Sequence, residues 1–299
     1  MDNIMLLIGA PIINVQLLLD GLLIGSIFAL AAYGLALVWG VMNVKNLAQG
    51  DLVIMGGYIA WFLSKQGIHP IIGLPVAAVL MFGFGWLLYV LIIRYVINRD
   101  LFTSLLATFG LALVIQQLLN LAFGPEVQVA ESGFAIRSFF GGMVTVSEIK
   151  LVALVLAAVL AAMVVLFMRH SRMGQAIRAT AQDPRAARVM GIDTDRVYAF
   201  TFSLNAAICG AAGALISMIW VIQPFIGMTH SIRAFVIVTA AGLGNLPGVI
   251  IAGLGLGVAE QYGGFVFGAE LQQFTILALL LIALMWRQLQ QRRNRQPLQ

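Results

Sequence analysis

About eight apolar runs, most near the length of a membrane-spanning helix, account for most of this chain: residues 15–39, 51–64, 71–93, 103–123, 149–168, 197–222, 234–264 and 272–286. A helix needs roughly 20 mainly apolar residues to cross the hydrocarbon core of a bilayer. Backbone polar groups there must be satisfied internally, so each run is expected to be helical. The run at 234–264 is interrupted and has room for two crossings. Composition agrees: 61% of residues are hydrophobic, 10% are charged, and mean hydropathy is +0.99. The expected fold class is an all-α polytopic membrane protein of about eight transmembrane helices, some interrupted by Gly or Pro, in one membrane domain over 1–299.

The 31 glycines fit close helix packing better than linkers. Gly21, Gly25 and Ala29 recur at four-residue spacing, the interval at which small residues let two helix backbones approach in lipid. Asp20, in the same run, is expected near the outer interface and solvated. Cys209 stands alone, so neither a disulfide nor a thiolate metal site is expected. Met1–Leu19 has no basic region before its apolar part and no small-residue cleavage site, and is read as mature protein.

Charge follows topology. The densest polar island is Arg169–Arg196. If it is cytoplasmic, alternation also places Val41–Gln49, Arg94–Asp100 and Arg287–Gln299 inside, and these four segments hold 13 of the 17 Lys and Arg residues. Lys65, Arg137, Lys150 and Arg233 fall on the other side or at its edge. The positive-inside rule then puts the N-terminus outside and the C-terminus in the cytoplasm. The net charge of +5 therefore reads as orientation, not as a nucleic-acid partner, and Arg292, Arg293 and Arg295 read as an inside anchor.

At the island's centre, Asp183 is a good N-cap, Pro184 suits the first helical position, and Gly191 suits the position past a helix end. A helix of about seven residues is expected near 184–190, roughly 10 Å long. Alone it would be marginal in water. A short, capped, basic helix on a membrane protein's surface reads as a docking element for a partner outside the chain.

Two further clusters interrupt the apolar runs. Gly40–Asp51 carries Asn43, Lys45, Asn46, Gln49 and Asp51. It is either a turn with Asp51 capping the next helix, or a broken helix lining a pathway, since irregular backbone at membrane depth must be buried in protein or line a wet cavity. Ala240–Gly248 carries Gly242, Gly244, Asn245 and Pro247, followed by Gly253, Gly255, Gly257 and Glu260. Pro247 removes a backbone donor, so a break is expected here. Its Gly-x-Gly lacks the preceding strand of a nucleotide fingerprint. Interruptions at corresponding places in two halves point to a transport pathway near the midplane. The candidate pathway residues are Asn43, Asn46, Gln49, Asp51, Asn245 and Glu260. The polar stretch Gly124–Ser147 is long for a connection and serves as an external docking surface or a passive lid.

No Gly-x-x-x-x-Gly-Lys-Ser/Thr loop is present, so ATP phosphates are not expected to bind this chain. His69, His170 and His230 lack metal-ligand spacing, and no metal or catalytic residue is assigned. Intramembrane acids are limited to Asp51 and Glu260, with Asp20 marginal, which makes ion-gradient coupling less attractive.

The run Gly34–Asp51 resembles the signature of LivH-type permeases of bacterial ABC importers, the branched-chain amino acid permeases related to those for urea, short amides and sugars. The likeness recurs at Gln182–Asp193, which looks like that family's coupling loop, and at Arg233–Val238 with Gly242–Gly248. It implies an inner-membrane permease subunit, not an enzyme, working with a second, LivM-like permease, two cytoplasmic ATPases that bind ATP and Mg, a periplasmic binding protein and membrane lipid. It also implies that Asp183, Pro184, Arg185, Ala186, Ala187, Arg188 and Gly191 meet the ATPase. Arg185 stands where the importer loop usually has Glu, Gln49 stands where the family has His, and the tail lacks the Arg-Pro-Gln-Gly-Leu ending of many members.

The leading expectation is thus a translocation subunit of an ATP-driven importer for branched-chain or related small amino acids. The alternative is a self-contained secondary carrier or channel using Asp51 and Glu260. An intramembrane enzyme has little support, since no acid pair or nucleophile–base pair has plausible spacing.

Overall fold

The computed structural model describes residues 6–7, 9–97, 99–131, 133–139, 144–242, 244–268, 271, 274–279, 281–282 and 285. Seven helices among them are long and apolar enough to cross a membrane. These are α1 (Pro11–Met42), α3 (Pro70–Val96), α4 (Leu101–Phe123), α5 (Glu148–His170), α8 (Thr194–Ile219), α9 (Gly227–Ala241, with a leading 3-10 turn from Pro224) and α10 (Leu246–Phe267). The run at 51–64 forms the shorter α2 (Gln49–Lys65). The run at 234–264 divides into α9 and α10, broken at Gly242 to Asn245, where Gly242 and Gly244 have φ of 88° and 78°. The run at 272–286 is described only in part, and the tail at 287–299 lies outside the described residues.

α1 and α8 form the centre. Their apolar windows are 89% and 83% buried, against 17% for α5 and 28% for α4, which leave broad apolar faces outward. Small residues set the closest crossings. On α1 the Gly21, Gly25 and Ala29 stripe meets Gly253 and Gly257 of α10, so close that a Cβ on Gly25 would lie 2.7 Å from the Gly253 carbonyl oxygen. Gly253, Gly255 and Gly257 therefore do not break the helix; α10 runs through them. On α2, Gly56 and Gly57 meet Gly210 and Gly213 of α8, where an added Cβ would overlap backbone.

The polar loop after α4 is not free. Gln128 pairs with Ile222 through two 2.8 Å backbone bonds, and the Ala130 N–H donates to the Ser217 carbonyl at 2.8 Å. β1 (Ile136–Phe139) and β2 (Val144–Ser147) then form an antiparallel hairpin over the start of α1. Beneath it Asp20, read from the sequence as solvated, is ion-paired with Lys150 at 2.5 Å, with its side chain 17% exposed. The Gln16 side chain amide donates to the Thr145 carbonyl at 2.7 Å. Sequence spacing could not reveal this, because α5 brings Lys150 there from far along the chain.

Candidate functional site

The two readings of residues 43–51 are separated by depth. Met42 ends α1 and Asn43 caps it in a left-handed conformation (φ 53°), which Asn tolerates better than most residues. The chain then turns back into the helix array. The Gln49 amide donates to the Ala31 carbonyl at 2.9 Å, about 16 Å back from the end of α1 at 1.5 Å per residue. Asn46, Gln49 and Asp51 are essentially unexposed at 0%, 0% and 1%. The segment is a buried break between α1 and α2, not a solvated turn.

Unpaired backbone inside an apolar array is costly, so its groups find side-chain partners. The Leu47 N–H donates to the Thr108 hydroxyl of α4 at 3.2 Å, and that hydroxyl lies 3.2 Å from the Lys45 carbonyl. Ser231 of α9 donates to the Leu47 carbonyl at 2.7 Å and accepts from the Gly50 N–H at 2.8 Å. The Gln49 amide also reaches Asn205 Oδ1 at 3.0 Å, and Asn205 fits against Gly34. Asn46 accepts from the Ala48 N–H at 3.1 Å. The Gln116 amide of α4 donates to Asp51 Oδ1 at 2.9 Å.

α9 also begins inside the array. Gly227 lies directly on Asp51 and Gly50, where a side chain on either glycine would overlap the other strand of contact. The first turns of α2 and α9 thus meet at one buried polar point, bounded by α4 and α8.

The candidate residues fall into three places. Asn46, Gln49 and Asp51 share this point. Asn43 and Asn245 are exposed caps at the ends of α1 and α10, where Gly40 comes close to Gly244; Asn245 accepts from the Gly248 N–H at 3.1 Å. Glu260 is 2% exposed and accepts from Arg233 Nε at 2.9 Å, while the guanidinium lies 4.8 Å from the centre of the Phe28 ring. Arg233, placed by sequence on the far side or at its edge, is in the middle of α9 with its side chain 14% exposed. Sequence reading missed it because its partner is on another helix. It also missed Thr108 and Gln116, each one member of a polar pair four residues apart, Ser104 with Thr108 and Gln116 with Asn120.

The basic island forms two helices, not one. α6 (Arg172–Gln182) seats Gly174, Ile177 and Thr180 against the array, and Arg178 donates to the Met168 carbonyl. α7 (Pro184–Val189) follows at the position expected. Asp183 Oδ1 accepts from the Arg185 and Ala186 N–H groups at 2.8 and 3.1 Å. Gly191 has φ 83°, and the Ile192 N–H donates to the Ala187 carbonyl at 3.0 Å, which closes the helix end. Ala187 is buried and anchors α7, while Val189 and Met190 stand 86% and 81% exposed beside Arg185 and Arg188. Arg188 is held by Thr194 at 2.7 Å. α7 therefore presents a ridge of two apolar and two basic side chains that nothing in the described chain covers.

A bundle of apolar helices with two helices starting inside it at a polar junction defines a multi-pass membrane protein. The permease-component model of the branched-chain amino acid transport system matches residues 17–284. The permease protein LivH of Escherichia coli strain K12 is 30% identical over 286 residues, covering 90% of this chain and 92% of that one. BraD of Pseudomonas aeruginosa is 29% identical, covering 91% and 93%. LivM of Escherichia coli strain K12 is 26% identical, covering 87% and 66%. No solved structure matches the chain. The chain belongs to the branched-chain amino acid transport system permease family.

Proposed function

We propose that this permease forms part of the translocation pathway of an ATP-driven importer for branched-chain or related small amino acids. The observation that carries the reading is the α7 ridge: a capped helix too short to be stable alone, offering Val189, Met190, Arg185 and Arg188 outward. One of two ATPase subunits docks there on the cytoplasmic side; the pair binds ATP and Mg and moves the ridge as it closes. A second, LivM-like permease lies beside this one, and a periplasmic binding protein delivers solute at the opposite end. The C-terminus is then cytoplasmic and the N-terminus outside. A rigid handle on one side and a bistable junction of half-helices in the middle are what such coupling requires.

Two experiments test this. The purified chain in vesicles is expected to show no ATP hydrolysis and no concentrative uptake of leucine. Adding the ATPases, the partner permease and the binding protein is expected to give both. Uptake by the chain alone on a proton or sodium gradient would replace the reading with a secondary carrier. Gly191→Val is expected to reduce uptake by the complete transporter severalfold while membrane insertion stays normal. A Cβ at Gly191 meets nothing within 4 Å, so the cost is confined to its left-handed backbone, about 1–3 kcal/mol. Normal uptake at normal expression would show that α7 is not the coupling contact.

A further inference from the structure

α5 is the least covered of the spanning helices, with 17% of its apolar window buried. It and α10 both rest on α1, and between them they leave a cavity of about 420 Å³ that α1 floors. Its walls include Ser26, Leu30 and Tyr33 of α1, Ala158 and Val165 of α5, and Ile250 of α10. From Leu154 to Val165 the fissure follows α5 for about 16 Å at 1.5 Å per residue. A helix about 10 Å across would fill roughly 1,300 Å³ over that length, so no further helix fits inside. A single hydrocarbon chain does. The walls offer it almost nothing polar, since the Ser26 hydroxyl already donates to the Leu23 carbonyl at 2.6 Å.

The end toward the basic loop differs. Tyr33 is 1% exposed, and its hydroxyl has no hydrogen-bond partner among the described residues. One turn past Val165, on the same face of α5, stands Arg169, exposed and close enough for its charge to act on that hydroxyl. Arg137, Arg196 and Arg233 each hold a carboxylate, but among the described residues Arg169 holds none. An apolar slot that opens sideways to the bilayer and ends at an uncommitted guanidinium has the chemistry of a lipid site. The chain fills the slot and the head group sits at the water boundary, where basic pockets between helices bind acidic head groups.

We propose that this fissure binds an anionic phospholipid of the cytoplasmic leaflet, with one acyl chain between α5 and α10 and the phosphate on Arg169. The chain restores contacts that an empty slot would forfeit on three helices. The head group sits where α5 leads into α6 and α7, so the lipid ties the basic loop to the bundle. The leaflet follows from the proposed cytoplasmic placement of that loop; the fissure and its charge do not depend on it.

Photolabelling tests the site without requiring transport. The purified full chain is reconstituted in phosphatidylcholine vesicles carrying a trace of phosphatidylglycerol or phosphatidylcholine with a diazirine at mid-chain. On illumination the diazirine loses dinitrogen and its carbene inserts into a neighbouring C–H or O–H bond, and adducts are mapped by peptide mass spectrometry. Leu113 and Val114, 45% and 55% exposed at the middle of α4, report ordinary surrounding lipid. Relative to those, the phosphatidylglycerol probe is expected to label Leu30, Leu154 or Leu254 about fivefold more than the phosphatidylcholine probe, from roughly 1 kcal/mol for one basic residue. Arg169→Gln is expected to bring that ratio to about one, and Arg169→Lys to keep it. Ala161→Phe, which puts a ring in the slot, is expected to cut fissure adducts at least fivefold with either probe; Ala162→Phe serves if that variant fails to accumulate.

A fissure labelled no more than α4, whether empty or closed by a second protein chain, would overturn the site. Labelling without head-group preference would reduce it to ordinary surrounding lipid, and a preference that survives Arg169→Gln would overturn the role of Arg169. Both leaflets of the vesicles have the same composition, so the result does not depend on which way the chain faces. The importer reading fails separately, in the reconstitution assay, and its failure would leave these labelling ratios unchanged.

Discussion

Gly213→Val is expected to remove most folded protein from the membrane, at least tenfold by immunoblot of the detergent-soluble fraction, whereas Gly255→Val is expected to accumulate normally. Both glycines lie within long apolar helices, and both substitutions add the same atoms. At Gly213 an added Cβ would overlap the Val53 carbonyl oxygen and lie 2.7 Å from the Gly57 N–H nitrogen, so α2 and α8 would have to separate. Overpacking against backbone has no rotamer by which to relax, and more than about 3 kcal/mol is expected from it, the upper end for small-to-large changes. At Gly255 nothing lies within 4 Å of the added carbon. Equal accumulation of the two variants would show that the α2–α8 crossing is looser than these distances require.

Arg233→Met and Glu260→Met are each expected to lower stability by about 3–5 kcal/mol, because each strands the other charge in a buried site. The double substitution is expected to recover most of that loss, since desolvating two charges offsets much of their attraction and an apolar pair of similar volume is near neutral or better. Thermal unfolding of the detergent-solubilised chain measures all three. Additive losses in the double variant would mean that the two side chains act through separate partners, contrary to the 2.9 Å contact. If uptake by the complete transporter falls in the double variant while stability returns, the pair also serves transport.

Much of this was legible in the residues. Runs of roughly 20 apolar residues require helices in lipid, so the span segments follow from hydropathy alone. The Asp183, Pro184 and Gly191 pattern located α7 because capping is local: donor, ring and left-handed turn act within a few residues. Asn46, Gln49 and Asp51 stood out as polar residues hemmed by apolar runs, and they do meet at one buried point.

What escaped the sequence depends on neighbours distant along the chain. The second helix of the basic loop, α6, was missed because the helix is short and polar on average, so it forms no apolar run despite its amphipathic period. Whether residues 43–51 formed a turn or a buried break turned on depth, set by Gln49 reaching Ala31 and Asn205. The charge of Glu260 looked available for coupling until α9 placed Arg233 against it. Nor could the sequence say which glycines after 248 are contacts: Gly253 and Gly257 lie against α1, whereas Gly255 faces open space. Helix formation, caps and membrane crossing are decided by interactions within a few residues, and the sequence by itself determined them for this chain. Which polar groups are paired, and which glycines are contacts, is decided by helices that pass within a few ångströms, so only the tertiary structure could settle them.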